Sequence, residues 1–241
     1  MSLLTQLLPT FLKEKIKEKL DAPDMFRSIL RLKALGFKPK MIVDIGAYHG
    51  EWTKEVQHIF PNSVFLMVEP MDEKAALLEQ IATHSKDKIY FEHGLLAAEA
   101  DKEIVFYKSE TASSVLSEHK ENDDFEKVTK KTTTLTSVLE KRNITKIDFL
   151  KIDTQGYELE ILKGATEYLK NTDVVLLEVS LLDIHKNVPL VHEVCSFMYQ
   201  HGFVTYDICS FTRRPLDKAL WQSDFIFVKE ESSFRANKNW N

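Results

Sequence analysis

The chain alternates between two rhythms of apolar and polar residues. Short apolar runs at 41–45, 64–69, 88–92, 147–153, 173–179, 203–208 and 223–228 have the length and continuity of strands buried on both faces. Between them, 24–35, 51–60, 73–84, 136–142, 155–164 and 191–201 carry apolar residues at helical spacing. Gly36 reads as the C-terminal cap of the first of these helices, and Pro61-Asn62-Ser63 as a turn. Strands that alternate with helices predict an α/β fold: a parallel sheet with helices on both faces.

Three stretches depart from this rhythm. Residues 1–20 space Leu3, Leu4, Leu7, Leu8, Phe11, Leu12, Ile16 and Leu20 like one face of a basic helix interrupted at Pro9. Such a face suits packing on its own domain or on a second copy of the chain, or a membrane surface. Residues 102–108 read as an added strand, and 109–133 as a long polar excursion, either a cover over the substrate side or an idle surface insertion. The last dozen residues read as a frayed polar tail. The expected organisation is a helical extension at 1–36, a main domain at 37–230 with an insertion at about 101–133, and a tail at 231–241.

Composition narrows the class. With 241 residues, 44% hydrophobic and 29% charged, the chain suits one large domain with a substantial core. A formal net charge of −5 opposes general nucleic-acid binding, which needs a basic field. No apolar run is long enough to span a bilayer, and the N-terminus lacks a signal-peptide pattern, so a cytoplasmic location is expected. Cys195 and Cys209 lack metal or redox spacing and read as free thiols.

The chemistry gathers at strand ends. Met41 to Gly50 is a strand, a glycine turn and a helix start, with the pattern D-x-G-x-x-x-G. It has no glycine at 48, as a dinucleotide fingerprint would, and no G-K-[ST] phosphate loop. Asp44 is a charge in an apolar strand and needs a partner; the ammonium of S-adenosylmethionine, or a water on it, is the expected one. Gly46 allows backbone to approach a ligand. Glu69 ends the second strand, where a carboxylate can accept both hydroxyls of a ribose, and Pro70 ends that strand. After the third strand, Leu95 and Leu96 are placed to cover a purine face, with Glu92 or His93 at its edge. Lys151 and Asp153 end the fourth strand on one face, and Glu178 ends the fifth. Asp44, Glu69, Glu92, Asp153 and Glu178 all standing at carboxyl ends predicts one shared site.

Three blocks of this sequence resemble the FkbM-type methyltransferases: Asp44-Ile-Gly-Ala-Tyr-His-Gly-Glu-Trp-Thr53, Val68-Glu-Pro70, and the long block from Ile147 to Ala165. The resemblance implies a class I, Rossmann-like methyltransferase sheet of seven strands with the last antiparallel. It also implies S-adenosylmethionine as cofactor, S-adenosylhomocysteine as product, and O-methylation of a sugar or other small natural-product or glycan acceptor. Carried onto this chain, the cofactor site comprises Asp44, Gly46, Ala47, Tyr48, Gly50, Thr53, Glu69, Pro70, Met71, His93, Gly94, Leu95 and Asp153. The family pattern D-x-E-G-x-E is altered here by Gln155, and Ala47-Tyr48-His49 departs from the commoner Ala-Asn-x.

Methyl transfer to oxygen needs alignment and a base. Asp153 is the expected base, with Lys151 orienting it or holding the substrate; Glu178 and His185 are second candidates. A divalent cation held by Asp153 and Glu178 is an alternative that is not favoured, and no metal ligand is assigned. Arg213 and Arg214 are either contacts for an acidic sugar or parts of a solvated turn. Two rival functions stay open: an inert cofactor-binding module acting through partners, and a nicotinamide-dependent enzyme on a related sheet.

Overall fold

In the computed structural model, which describes residues 19–20, 22–108, 113–119 and 126–240, the apolar run around Asp44 is an inner strand of the main sheet. The elements in chain order are α1 (Met25–Ala34), β1 (Met41–Ile45), α2 (Glu51–Ile59), β2 (Val64–Glu69), α3 (Asp72–His84), β3 (Ile89–His93), β4 (Leu95–Leu96), β5 (Glu103–Lys108), β6 (Glu126–Thr133) and α4 (Leu135–Lys141). There follow β7 (Phe149–Ile152), α5 (Glu158–Lys163), α6 (Thr166–Leu169), β8 (Val174–Ser180), α7 (Val191–Gln200), β9 (Phe203–Ile208), β10 (Thr212–Arg213) and β11 (Leu220–Lys229). The amphipathic segment expected at residues 1–20, with the oligomer contact assigned to it, lies almost wholly outside the described residues.

The main sheet runs β10-β11-β8-β7-β1-β2-β3, and β9 pairs with the far side of β11. Neighbours from β8 to β3 are parallel, whereas β11 is antiparallel to both β8 and β9. The seven expected strands are all present, with the last one reversed. Connections lead from β1 outward to β2 and β3 on one side, then to β7 and β8 on the other. The gap between β1 and β7 is therefore the topological switch point, where open α/β sheets hold ligands.

One apolar layer, including Val43, Val68, Leu150 and Leu177, packs under α4, α5 and α7. The other, including Ile42, Met67, Phe149 and Leu176, packs under α1, α2 and α3. α1, placed by sequence in an extension, gives this layer the fully buried Ile29 and Leu32. Its end is fixed by Gly36: the Gly36 and Phe37 N–H groups donate to Lys33 O and Leu32 O, both at 3.0 Å. The tail is not simply frayed, because a 3-10 turn at Ser233–Arg235 sets Phe234 edge-on to Phe37, 5.7 Å away.

The excursion holds a strand that its composition hid. β6 has Val128 as its one large apolar residue, yet it pairs with β5 over six positions and with β4 at its end. This ribbon docks on α3 through ion pairs of Lys130 with Asp72 (2.9 Å) and of Lys108 with Glu73. Its inner face adds Phe106 to a small cluster with Met71 and Leu95.

Candidate active site

A cavity of about 260 Å³ opens at the carboxyl ends of β1, β2 and β7. Gly46, Tyr48, Glu69, Pro70 and Met71 form one side, and Asp153, Thr154, Gln155 and Tyr157 the other. Leu95, Leu96, Phe106 and Val115 make an apolar wall, and Gly94 adds bare backbone beside it.

Register determines what lies beneath. Asp44 on β1 and Lys151 on β7 are paired neighbours, so their side chains share a face. Asp44 is fully buried; Lys151 Nζ sits 3.0 Å from its Oδ1, and Thr53 Oγ1 donates to its Oδ2 at 2.6 Å. Lys151 also donates to Gly46 O at 3.0 Å. Burial pulls the Lys151 ammonium down, but Asp44 and Asp153 outweigh it, and the net shift is upward. Lys151 is thus a permanent cation that ties β1, β7 and the glycine turn together. The sequence assigned the partner of Asp44 to a ligand ammonium; the structure assigns it to Lys151.

The turn itself is tight for a reason internal to the chain. Gly46 has φ +73, and a Cβ there would lie 1.9 Å from the Asp153 carbonyl oxygen. The close approach that demands glycine is to β7's own backbone, where the sequence reading placed the ligand. Gly46→Ala should lower stability by about 3 kcal/mol or more, seen as a Tm drop of roughly 6 °C or more in a thermal melt. Two non-glycine residues on the cavity wall, Tyr48 (φ +50) and Gln155 (φ +55), also occupy the left-handed region, where a side chain is uncommon.

Glu69 is 4% exposed. The Tyr48 N–H donates to its Oε2 at 2.9 Å, and the Met71 N–H to its Oε1 at 3.0 Å. Burial raises its pKa, and the two N–H donors oppose the rise. Each oxygen keeps acceptor capacity toward the cavity.

Behind Asp153 lies a chain of polar groups. Gln155 Nε2 is 3.5 Å from Asp153 Oδ1, Gln222 Nε2 is 3.3 Å from Gln155 Oε1, and Gln222 Nε2 donates to Glu178 Oε2 at 2.8 Å. Burial, reinforced by Asp153, Glu158 and Asp224, holds the Glu178 carboxyl well above its usual range. Burial likewise pushes Asp224 up to about 6. Glu158, which the sequence reading passed over as part of an amphipathic helix, is buried beneath the Asp153–Gly156 turn. Its Oε1 accepts from Thr154 N (2.9 Å), Thr154 Oγ1 (3.1 Å) and Gly156 N (3.1 Å).

Burial outweighs these donors and pushes Glu158 up to about 7 from 4.5. Between those two values the folded chain holds a proton that the unfolded chain has lost. Its stabilising contribution is therefore full below pH 4.5 and is lost as pH rises to about 7. Glu158→Gln should flatten the fall in stability over that window by about 3 kcal/mol, measured by denaturant melts at a series of pH values.

The expected site residues divide clearly. Gly46, Tyr48, Glu69, Pro70, Met71, Gly94, Leu95 and Asp153 line the cavity. Thr53 stands behind Asp44, and Ala47 packs in the core beside the α2 layer. Gly50 caps α2, where an added Cβ would meet Ile81, Leu78 and Met67. His93 faces solvent 3.1 Å from Asp72, because β3 is the sheet edge. Glu92 pairs in register with Val68, which turns it toward α4, where Lys141 (2.8 Å) and Arg142 (2.7 Å) bind it. The five strand-end carboxylates therefore do not all meet: Glu69 and Asp153 reach the cavity, and Glu178 connects to it through Gln222 and Gln155. Lys151 and His185 are buried away from the lining. Arg214 pairs with Asp217, and Arg213 donates to Lys218 O, so both close the β10–β11 turn. Leu96, expected over a purine face, and Val115 of the polar excursion line the cavity too, and Phe106, Thr154 and Tyr157 line it without having been expected there. Among the described residues no group of three or more His, Cys, Asp and Glu is arranged to hold a metal ion. No described helix is long and apolar enough to cross a membrane.

A mostly parallel sheet with its last strand reversed, and a switch-point cavity floored by a glycine turn, form the class I methyltransferase fold. The family model for the methyltransferase FkbM domain matches residues 44–205, and the chain belongs to that family of methyltransferase enzymes. Methyltransferase FkbM from Methylobacillus flagellatus KT shares the fold with a TM-score of 0.50 at 14% identity. That match takes in 78% of this chain and 43% of the other, so the chain spans less than half of that protein's length. Precorrin-6y C5,15-methyltransferase from Geobacter metallireducens GS-15 aligns at 12% identity over 84% of this chain and 87% of its own, with a TM-score of 0.47. TrmK of M. capricolum, in complex with S-adenosyl-homocysteine, aligns at 11% identity over 86% and 71%, with a TM-score of 0.49. No curated protein matches the chain.

Proposed function

We propose that the protein transfers the methyl group of S-adenosylmethionine to a hydroxyl oxygen of a sugar or other small natural-product or glycan acceptor. The observation that carries this reading is Glu69: a buried carboxylate at the end of β2, fixed by two backbone N–H groups, beside an apolar slot. That combination suits a nucleoside, with the ribose hydroxyls on Glu69 and the purine against Leu95, Leu96, Phe106 and Met71. The Asp153 carboxyl group on the cavity wall suits a ligand that carries positive charge.

When bound, the cofactor supplies a methyl group on a sulfonium, open to in-line displacement. Asp153 is 36% exposed and faces the cavity, so it can receive the proton of an acceptor hydroxyl. Lys151, 3.8 Å from Asp153 Oδ2, is no base; it anchors the Asp153 end of β7 and holds the Gly46 carbonyl. Gln155 positions the outer side of Asp153. Val115 and Ser113 form part of the cavity wall.

The test is transfer of radiolabelled methyl from S-adenosylmethionine to a panel of sugars and phenolic or aliphatic alcohols. The expected product is an ether whose label survives mild alkali. Label released as methanol would mean a carboxyl ester, and label that stays in the donor across the panel would count against hydroxyl methylation.

A further inference from the structure

The reversed strand β11 brings a buried amide up behind the cavity. Partners across a ladder share a face. The register sets Asp224 opposite Glu178, and Gln222, two positions from Asp224, points the same way. Leu176, two positions before Glu178, is paired with Lys151, and Lys151 with Asp44. A polar row therefore crosses β1, β7, β8 and β11 on a face otherwise built from Ile42, Phe149, Leu176 and Ile226. Gln222 ends that row and is 2% exposed. Its Nε2 donates to Glu178 Oε2 at 2.8 Å and to Gln155 Oε1 at 3.3 Å.

Gln155 is the link to the cavity, which it lines beside Asp153. Its backbone is held in the left-handed region at φ +55. Its main-chain carbonyl accepts from Ser114 Oγ at 3.0 Å, and Ser114 is itself tied to Tyr107 by two backbone bonds. Its side-chain Nε2 faces Asp153 Oδ1 at 3.5 Å. The donor and acceptor inventory gives this chain a direction. An ionised carboxylate only accepts, so Gln155 must turn its NH2 group toward Asp153 and its carbonyl away. That carbonyl then meets the Gln222 NH2 group. With the Gln155 amide reversed, oxygen would oppose the carboxylate and NH2 would oppose NH2.

We infer that Gln222 is a positioning residue for methyl transfer: it fixes the Gln155 amide in the one orientation that donates to Asp153, and so holds that carboxylate in place on the cavity wall. This rests on Asp153 as the group that receives the acceptor's proton. Gln222 stands behind the cavity lining and acts only through Gln155. The last link is long, so what Gln222 supplies is orientation, and its loss should cost less than the loss of Asp153 itself.

The test uses the full chain with 15N-labelled glutamine side chains and S-adenosylhomocysteine present. Gln155→Met assigns the Gln155 NH2 signals among those of six glutamines. Asp153→Asn should shift these signals in the parent. In Gln222→Met, which keeps the bulk and removes the donor, that response should be lost. On an alcohol that takes the methyl group, Gln222→Met should lower kcat about tenfold, with KM and S-adenosylhomocysteine affinity unchanged. In the Gln155→Met background the same change should lower kcat no further, because the route runs through Gln155. Gln155 signals that respond to Asp153→Asn equally with and without Gln222, an unchanged kcat, or losses that add in full would each overturn the role. Should Gln222→Met fail to fold, the native Gln222 signal decides: Asp153→Asn should move it, and Gln155→Met should abolish the movement, while a Gln222 signal indifferent to Asp153→Asn would overturn the role. Coupled glutamine signals in a protein that methylates no alcohol would sink the hydroxyl-methylation reading and leave the amide chain standing.

Discussion

Lys151→Met should destabilise the protein by about 3–5 kcal/mol, enough to lower Tm by roughly 6–20 °C. Methionine fills much of the lysine's volume, so the loss is not one of packing. It is the cost of leaving the Asp44 carboxylate fully buried with only Thr53 as a partner. The same change frees the Gly46 carbonyl, which Lys151 holds at 3.0 Å. The turn that floors the cavity should loosen, and cofactor affinity should fall with stability. Removing both charges together, as Asp44→Leu with Lys151→Met, should recover much of the loss, because a buried pair is about as stable as an apolar replacement of like volume. A thermal melt of the two single variants and the double variant makes the comparison. A loss in the double variant equal to the sum of the two single losses would mean that the pair is not coupled.

Asp153→Asn should reduce kcat by about 10²–10⁴-fold while leaving S-adenosylhomocysteine affinity within about twofold of the parent. Asparagine keeps the shape and the contact with Gln155 but cannot take a proton from a hydroxyl. Asp153 is the one carboxylate among the acidic residues behind β7 that faces the cavity; Glu178, Glu158 and Asp224 stand behind it. Single-turnover transfer to whichever acceptor the alcohol panel identifies, with calorimetry alongside, separates chemistry from binding. Near-normal turnover would move the base elsewhere.

The sheet was legible because its strands are apolar runs between helical patterns, and the reversal of the last strand came with the family resemblance. The carboxyl ends of the strands were placed to within about one position, and Glu69 and Asp153 reach the cavity as expected. What one-dimensional pattern could not supply was register. Lys151 stands opposite Asp44 only because β1 and β7 pair as they do, so a charge that seemed to wait for a ligand is already neutralised from within. Glu92 went astray for the same reason, since its pairing with Val68 turns it to the α4 cations. β6 was hidden by its threonines and lysines, whose strand state depends on docking against α3 and the Met71–Leu95–Phe106 cluster. Glu158 was missed because its burial arises from a turn whose N–H groups converge on it, and no periodicity reports that.

The central claim is that the switch-point cavity holds the adenosyl part of the cofactor on Glu69. Isothermal calorimetry with S-adenosylhomocysteine, on the parent chain and on a folded Glu69→Ala variant, tests it most directly. The account predicts one site per chain, weakened about 10–100-fold by the substitution, as the loss of charge-assisted hydrogen bonds requires. Undiminished affinity in Glu69→Ala, or no binding to the parent, would contradict it.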